Sequence, residues 1–440
     1  MPVSLEKYIV DLSGLDPILQ EGKVTRLVGT VIEGNGPSMP VGGICEIFPP
    51  KYQEPLNAEV VGFKENSILL MPLCNCDGVE PGSRIVARHY RASIPVAANM
   101  LGRVLDGLGQ PIDGGPPILA HEKRPLYAKP LNPLERSRIT EPLDVGVRAI
   151  NSLITLGKGQ RAAIMAGSGV GKSVLLGMMA RFTEADVSVI ALIGERGREV
   201  KEFIERDLGQ EGLKRSVVVV ATSDTSPLIR MRGAYLATAI AEFFRDLGKD
   251  VLLMMDSVTR FAMAAREVGL ASGEPPSTKA YPPSTFAHLP RLLERAGTNG
   301  TRGSITGLYT VLVEGDDMNE PVADAVRSIV DGHIVLDRDL ASRGHYPAID
   351  VLSSVSRLMA EVLDKDSLAL CHQFREILAD YAKIEDLVTL GAYQRGNNRK
   401  ADRAVEMIDR LNQFLRQDMY TKSTMEEGFR ELAQVLGAGN

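Results

Sequence analysis

The sequence predicts a three-part chain: a small N-terminal β-barrel, an α/β core built on a mostly parallel sheet, and a C-terminal α-helical domain. Three observations carry this. Short strand-like runs with Gly, Pro and Asn punctuation fill the first quarter. Apolar runs then alternate with helical patterns. Beyond about residue 356 the pattern is helical and charged. The boundaries fall at 1–95, 96–360 and 361–440.

Length and composition agree with this division. The 440 residues suit two to four domains. With 50 basic and 56 acidic residues the formal charge is −6, and 44% of residues are hydrophobic. Those values exclude a disordered chain, a collagen-like fibre and a coiled-coil rod. They also count against a surface built to grip nucleic acid. The four cysteines (Cys45, Cys74, Cys76 and Cys371) are too few for a disulfide scaffold and lack zinc spacing. They read as structural thiols. Met1–Asp16 has no signal-peptide pattern, and no apolar run approaches the roughly 20 residues that span a bilayer. The expected location is the reducing cytosol, free or peripheral to a membrane-bound partner.

The elements follow in order. Leu5, Tyr8, Ile9 and Leu12 form one helical stripe, which either docks on a partner or folds back on its own domain. Val24–Ile32, Gly43–Phe48, Glu59–Phe63, Ser67–Pro72 and Arg84–His89 read as the strands of the barrel. Pro95 to Pro142 reads as a Gly- and Pro-rich connector. The core strands are expected at Arg161–Met165, Val187–Ile193, Ser216–Ala221, Val251–Met255, Ile305–Val313 and His333–Leu336. Ser173–Phe182, Glu199–Leu208 and Arg232–Leu247 are expected helices. Gly269–Ala287, with four prolines, reads as a stiff loop, either lining the pore of an assembly or serving as an ordinary interface.

The chemistry centres on Gly167, Ser168, Gly169, Val170, Gly171, Lys172 and Ser173, between an expected strand and an expected helix. This is a phosphate loop. Its glycines let backbone N–H groups turn around an anion, and the helix N-terminus adds a positive dipole end. Lys172 would neutralise the β- and γ-phosphates of ATP, and the Ser173 hydroxyl would ligate Mg²⁺. Ala166 stands where the general pattern has Gly, which requires a negative φ there. Asp256, closing the run Val251–Met255, is the expected second Mg²⁺ carboxylate. Glu195 follows the strand Val187–Ile193 on the edge where such sheets bind ligands. It either activates water, with Arg196 positioning it or touching phosphate, or belongs to a solvated charge cluster opening the next helix.

Several motifs resemble one family. Gly194-Glu195-Arg196, Met255-Asp256-Ser257-Val258-Thr259-Arg260 and the run Pro347 to Arg357 are similar to the rotary ATP synthase heads. The eight residues from Ala166 to Ser173, the run Gly194 to Phe203 and the run Val313 to Pro321 are similar to the type III export ATPases, the flagellar branch first and the injectisome branch next. The resemblance implies a RecA-like core, ATP and Mg²⁺ as substrate and cofactor, and a homohexamer. It implies that Arg357 reaches a neighbour's site, that Tyr346 stacks on adenine, and that Arg260 is a second site arginine. It further implies protein export acting on unfolded substrates and chaperones, beside a regulator and membrane gate proteins, at the cytoplasmic side of the inner membrane and without nucleic acid. Two other classes compete: a non-catalytic rotary subunit, which has no need of Glu195, and an RNA-translocating hexamer, which would carry a basic, aromatic barrel.

Overall fold

The computed structural model describes residues 20–437 apart from 52–53, 121, 301–302, 314–316 and 397. The N-terminal stripe Leu5–Leu12 lies outside the described residues. The chain divides into two compact units. One runs to Ser93 and takes in Val268–Pro275; the other comprises Ile94–Glu267 and the chain from Pro276 onward.

The first unit is a closed six-stranded barrel of β1 (Glu21–Val28), β2 (Val31–Gly34), β3 (Ile44–Phe48), β4 (Leu56–Lys64), β5 (Ser67–Pro72) and β6 (Arg84–His89). Its order is β1-β2-β5-β4-β3-β6, and pairing of Glu21 with Val86 closes it. Alternate residues point inward, so Val24, Ile32, Cys45, Ile47, Val60, Leu70 and Ile85 fill the centre. The expected single strand Val24–Ile32 is two strands. Gly29 turns between them with φ +58°, a conformation that glycine adopts without steric cost.

The second unit is built on a sheet ordered β14-β13-β8-β12-β11-β9-β10-β7. Its strands are β7 (Val104–Asp106), β8 (Arg161–Ala166), β9 (Val187–Ile193), β10 (Ser216–Ala221), β11 (Asp250–Asp256), β12 (Ser304–Leu312), β13 (Gly332–Leu336) and β14 (Ile349–Ser356). The first seven run parallel; β14 pairs antiparallel with β13. Strands buried on both faces read as unbroken apolar runs, which is why β9 and β10 stand out in the sequence. Both are buried along their whole length.

Three expectations are corrected. The connector contributes β7, which extends the sheet by pairing with Val218–Val220. Gly269–Ala287 is partly helical: helix Val258–Ala271 ends inside it and helix Pro283–Leu293 begins inside it. Proline suits the first turn of a helix, where its missing N–H has no partner to lose. The helix expected over Glu199–Leu208 is α-helical only from Gly197 to Glu202 and then passes into a π-helical turn, Phe203–Leu208.

The C-terminal helices Lys365–Ala382, Arg399–Leu415 and Met425–Leu436 share one buried cluster with the core, through Phe374, Leu411, Phe414 and Leu432. Arg148 ties them down. Its guanidinium donates to the carbonyls of Phe414 (2.7 Å) and Arg416 (2.6 Å), pairs with Glu431 and lies over the Phe414 ring. Cys45 and Cys371 are buried, and burial pushes their thiols up to about 11 and about 12. The Cys371 thiol donates to the carbonyl of Ser152. Both behave as core residues.

Candidate active site

β8 ends at Ala166, the helix Lys172–Phe182 begins six residues later, and the loop between them wraps one end of a cavity of about 860 Å³. Ala166 is still part of the strand, paired with Leu312 and Leu336, so alanine is tolerated there. Gly171 has φ +87° and caps the helix in the left-handed region. A Cβ at Gly171 would lie 3.5 Å from the Tyr346 ring, in ordinary contact, so the strain of a side chain there comes from the positive φ. Val170 is buried and lends only its backbone to the loop. Ser168, Gly169 and Ser173 are exposed toward the cavity that they line.

The three charged groups expected at the site meet. The Lys172 ammonium donates to Asp256 Oδ1 at 2.5 Å and to Glu195 Oε1 at 3.4 Å. The parallel strands β9 and β11 are neighbours with Leu192 beside Asp256, so the carboxylates of Glu195 and Asp256 leave the sheet at the same edge. Between them Gly194 has φ +73°, and a Cβ there would come within 2.8 Å of Arg260 Cβ. The glycine before Glu195 therefore leaves room for Arg260, which lines the cavity too.

Burial dominates the electrostatics. Desolvation, and then the charge of Asp256, push Glu195 up to about 7, although Lys172 opposes them. Glu199 shares hydrogen bonding with Glu195 and is held below the usual carboxylate range, first by that contact. Burial alone would depress Lys172, but the charges of Asp256 and Glu195 outweigh it and hold the ammonium above its ordinary value. The site thus keeps its cation and has one carboxyl that titrates near neutrality.

Other expected residues separate into two groups. Tyr346 lies at the loop, half-exposed, and its carbonyl accepts from the Gln417 N–H at 3.0 Å. Arg196 lines the cavity, but its side chain is 77% exposed and, among the described residues, reaches only Glu199, at 3.4 Å. Arg357 is not in the cavity. It follows β14, whose first residues pair with the end of β13 beside the phosphate loop, and whose last residue pairs with Gly332 at the start of β13. At about 3.3 Å per residue the strand separates the two ends by roughly 25 Å. Arg357 is exposed there and has no ion pair among the described residues.

Sequence reasoning missed Arg338 and Thr310. Arg338 lines the cavity from the first turn after β13. The strand-end rule that located Glu195 also points to it. Thr310 lies inside a strand and donates to Asp256 Oδ1 at 2.7 Å. A lone threonine in an apolar run carries no signal of such a contact.

A parallel sheet with a phosphate loop at one strand end, its lysine held between carboxylates at the ends of two other strands, defines a nucleoside triphosphatase. The match to the ATP synthase alpha/beta family, nucleotide-binding domain, spans residues 146–356, and that to the T3SS EscN ATPase C-terminal domain spans residues 363–434. The chain is 52% identical to the flagellum-specific ATP synthase of Bacillus subtilis, covering 96% of each chain. It is 48% identical to the type 3 secretion system ATPase of Xanthomonas euvesicatoria, covering 94% of this chain and 93% of the relative. Its fold is similar to the assembled ATPase EscN of the enteropathogenic E. coli type III secretion system, with TM-score 0.89 and 44% identity over 94% of this chain and all of that one. The chain belongs to the ATP synthase alpha/beta family, among its flagellar and type III secretion ATPases, and is an ATP-hydrolysing enzyme.

Proposed function

We propose that this chain hydrolyses ATP to energise flagellar-type protein export, acting on unfolded substrates and their chaperones as a ring of six identical copies. It works in the cytoplasm, peripherally bound to the inner-membrane export apparatus with its regulator and gate proteins, and without nucleic acid. Among the described residues no helix is long and apolar enough to cross a membrane. The observation that carries the reading is the split site. Lys172, Glu195 and Asp256 converge at one end of the sheet, and the exposed Arg357 stands at the other.

The residues divide the work. Gly167, Ser168, Gly169, Val170 and Gly171 present backbone N–H groups to the phosphates, with Lys172 as their counter-charge. Tyr346, placed beside Gly171, stacks on adenine, and Arg260 lines the phosphate side. A hydroxyl and a carboxylate are hard oxygen donors; Ser173 borders the cavity, and the buried Asp256 lies behind it against the Lys172 ammonium, a donor set that fits Mg²⁺. When bound, the ion neutralises charge on the phosphate oxygens. Glu195 as carboxylate orients and polarises the attacking water, and Arg196 supports it through the Glu199 pair. Arg357 enters the site of a neighbouring copy and stabilises charge on the transferring phosphoryl group.

Glu195→Gln keeps the shape and removes the base. Phosphate release by the purified variant should fall about 100-fold; near-normal turnover would remove Glu195 from the catalytic role. A virulence-type secretion ATPase is the second reading, favoured by the 48% identity to the Xanthomonas enzyme. Deleting the gene in its host distinguishes them. Loss of swimming supports the flagellar reading, and loss of effector secretion with intact swimming supports the second.

A further inference from the structure

We infer that Thr310 is a positioning residue for Asp256, holding the carboxylate in place when Lys172 turns to phosphate. Thr310 is fully buried on β12, the strand between the phosphate-loop strand β8 and the Asp256 strand β11. It pairs with Ile164 on one side, and its neighbour Tyr309 pairs with Met255 on the other. Its hydroxyl therefore rises between the two halves of the nucleotide site. The hydroxyl is 2.7 Å from Asp256 Oδ1 and 3.2 Å from the Met255 carbonyl. It has one proton to give, and a charged acceptor at the shorter distance wins it.

The pattern of donors on Asp256 gives this contact its meaning. Lys172 and Thr310 both donate to Oδ1. Among the described residues no hydrogen bond reaches Oδ2, which leaves that oxygen for a hydrated cation. A lysine cannot serve the carboxylate and the β- and γ-phosphates equally well. Once Lys172 engages nucleotide, Thr310 is the side chain that remains to fix the Asp256 rotamer. A threonine that merely satisfied the Met255 carbonyl of the neighbouring strand would do nothing of the kind.

The inference rests on the reading of Asp256 as the metal-side carboxylate. The test is the binding of a fluorescent ATP analogue, titrated with Mg²⁺ under conditions without turnover and repeated with chelator. Thr310→Val keeps the branched shape and removes the donor. It should need about tenfold more Mg²⁺ for half of the metal-dependent gain in affinity, while affinity in chelator stays within about twofold. Thr310→Ser should restore the wild-type titration. An unchanged Mg²⁺ midpoint in Thr310→Val, with a shifted one in Asp256→Ala, overturns the role of Thr310 alone. An unchanged midpoint in both overturns the reading of Asp256 as well. If the valine variant does not fold, Thr310→Ala against Thr310→Ser gives the same comparison.

Discussion

The two ends of the central sheet both carry charged groups and use them differently. At the end where β8, β9 and β11 finish, Lys172 sits between Asp256 and Glu195 beside an 860 Å³ cavity. At the end where those strands begin, charges are locked into the protein. Arg295 is wholly buried against Glu242 and donates to the Leu126 carbonyl, and Arg161 is held between Asp331 and Glu294. Both carboxylate oxygens of Glu242 accept from Arg295, at 2.8 and 2.6 Å, so this pair is complete in itself. The Lys172 cluster is incomplete: it holds two carboxylates for one ammonium, and burial, with the charge of Asp256 added, brings one of them, Glu195, to titrate near neutrality. A satisfied ion pair fixes structure, and an unbalanced one beside a cavity is ready to accept a ligand. Arg357 departs from its surroundings, since it lies at the structural end yet is exposed and unpaired among the described residues.

The sharpest way to break this contrast is to exchange the ends. Arg357→Ala should lower turnover of the assembled enzyme about 1,000-fold, leaving nucleotide binding by single chains intact. Mixing it with Lys172→Ala should restore part of the turnover, because mixed neighbours combine an intact lysine site with an intact arginine. Steady-state phosphate release by the mixture checks this, and no recovery would place Arg357 outside its neighbour's site. Arg295→Ala, at the structural end, should cost about 3–5 kcal/mol of stability, because it leaves Glu242 buried and unpaired. Denaturant unfolding reads the loss, and turnover per folded chain should stay near wild type. The smallest expected effect is on pH. Glu195 keeps its proton until pH rises through about 7, and only its ionised form can act as base. kcat/KM should therefore fall about tenfold per pH unit well below 7 and level off above it. A flat profile between pH 6 and 8 would show that Glu195 does not titrate there.

How far the sequence reveals each end follows from the same contrast. The phosphate loop, Asp256 and Glu195 were legible because each follows a buried strand, and a buried strand is an apolar run that stops at a polar residue. The barrel strands β3 to β6 were legible through their turn residues, whereas the break at Gly29 is hidden inside a run of good strand formers. β7 was missed because three residues in a Gly- and Pro-rich stretch carry no periodicity; only pairing with Val218–Val220 makes them a strand. The Arg295–Glu242 pair joins residues 53 apart, and Thr310 meets Asp256 across adjacent strands. Spacing along a chain cannot show contacts that register alone creates. Arg357 was found by family resemblance and not by pattern, since a charged residue after an edge strand is common.

The antiparallel strand β14 has a consequence for counting. Tyr346 precedes it and Arg357 follows it, so under the role proposed for Arg357 each copy offers a socket at one end of the sheet and a plug at the other. Such an interface is head-to-tail and cannot be satisfied by a two-fold dimer. Two joined copies make a single finished site and leave one socket and one plug unused. Each copy added to an open arc finishes one more, and only closure uses the last pair. Turnover per chain should therefore climb with protein concentration and reach its ceiling when the arc becomes a ring.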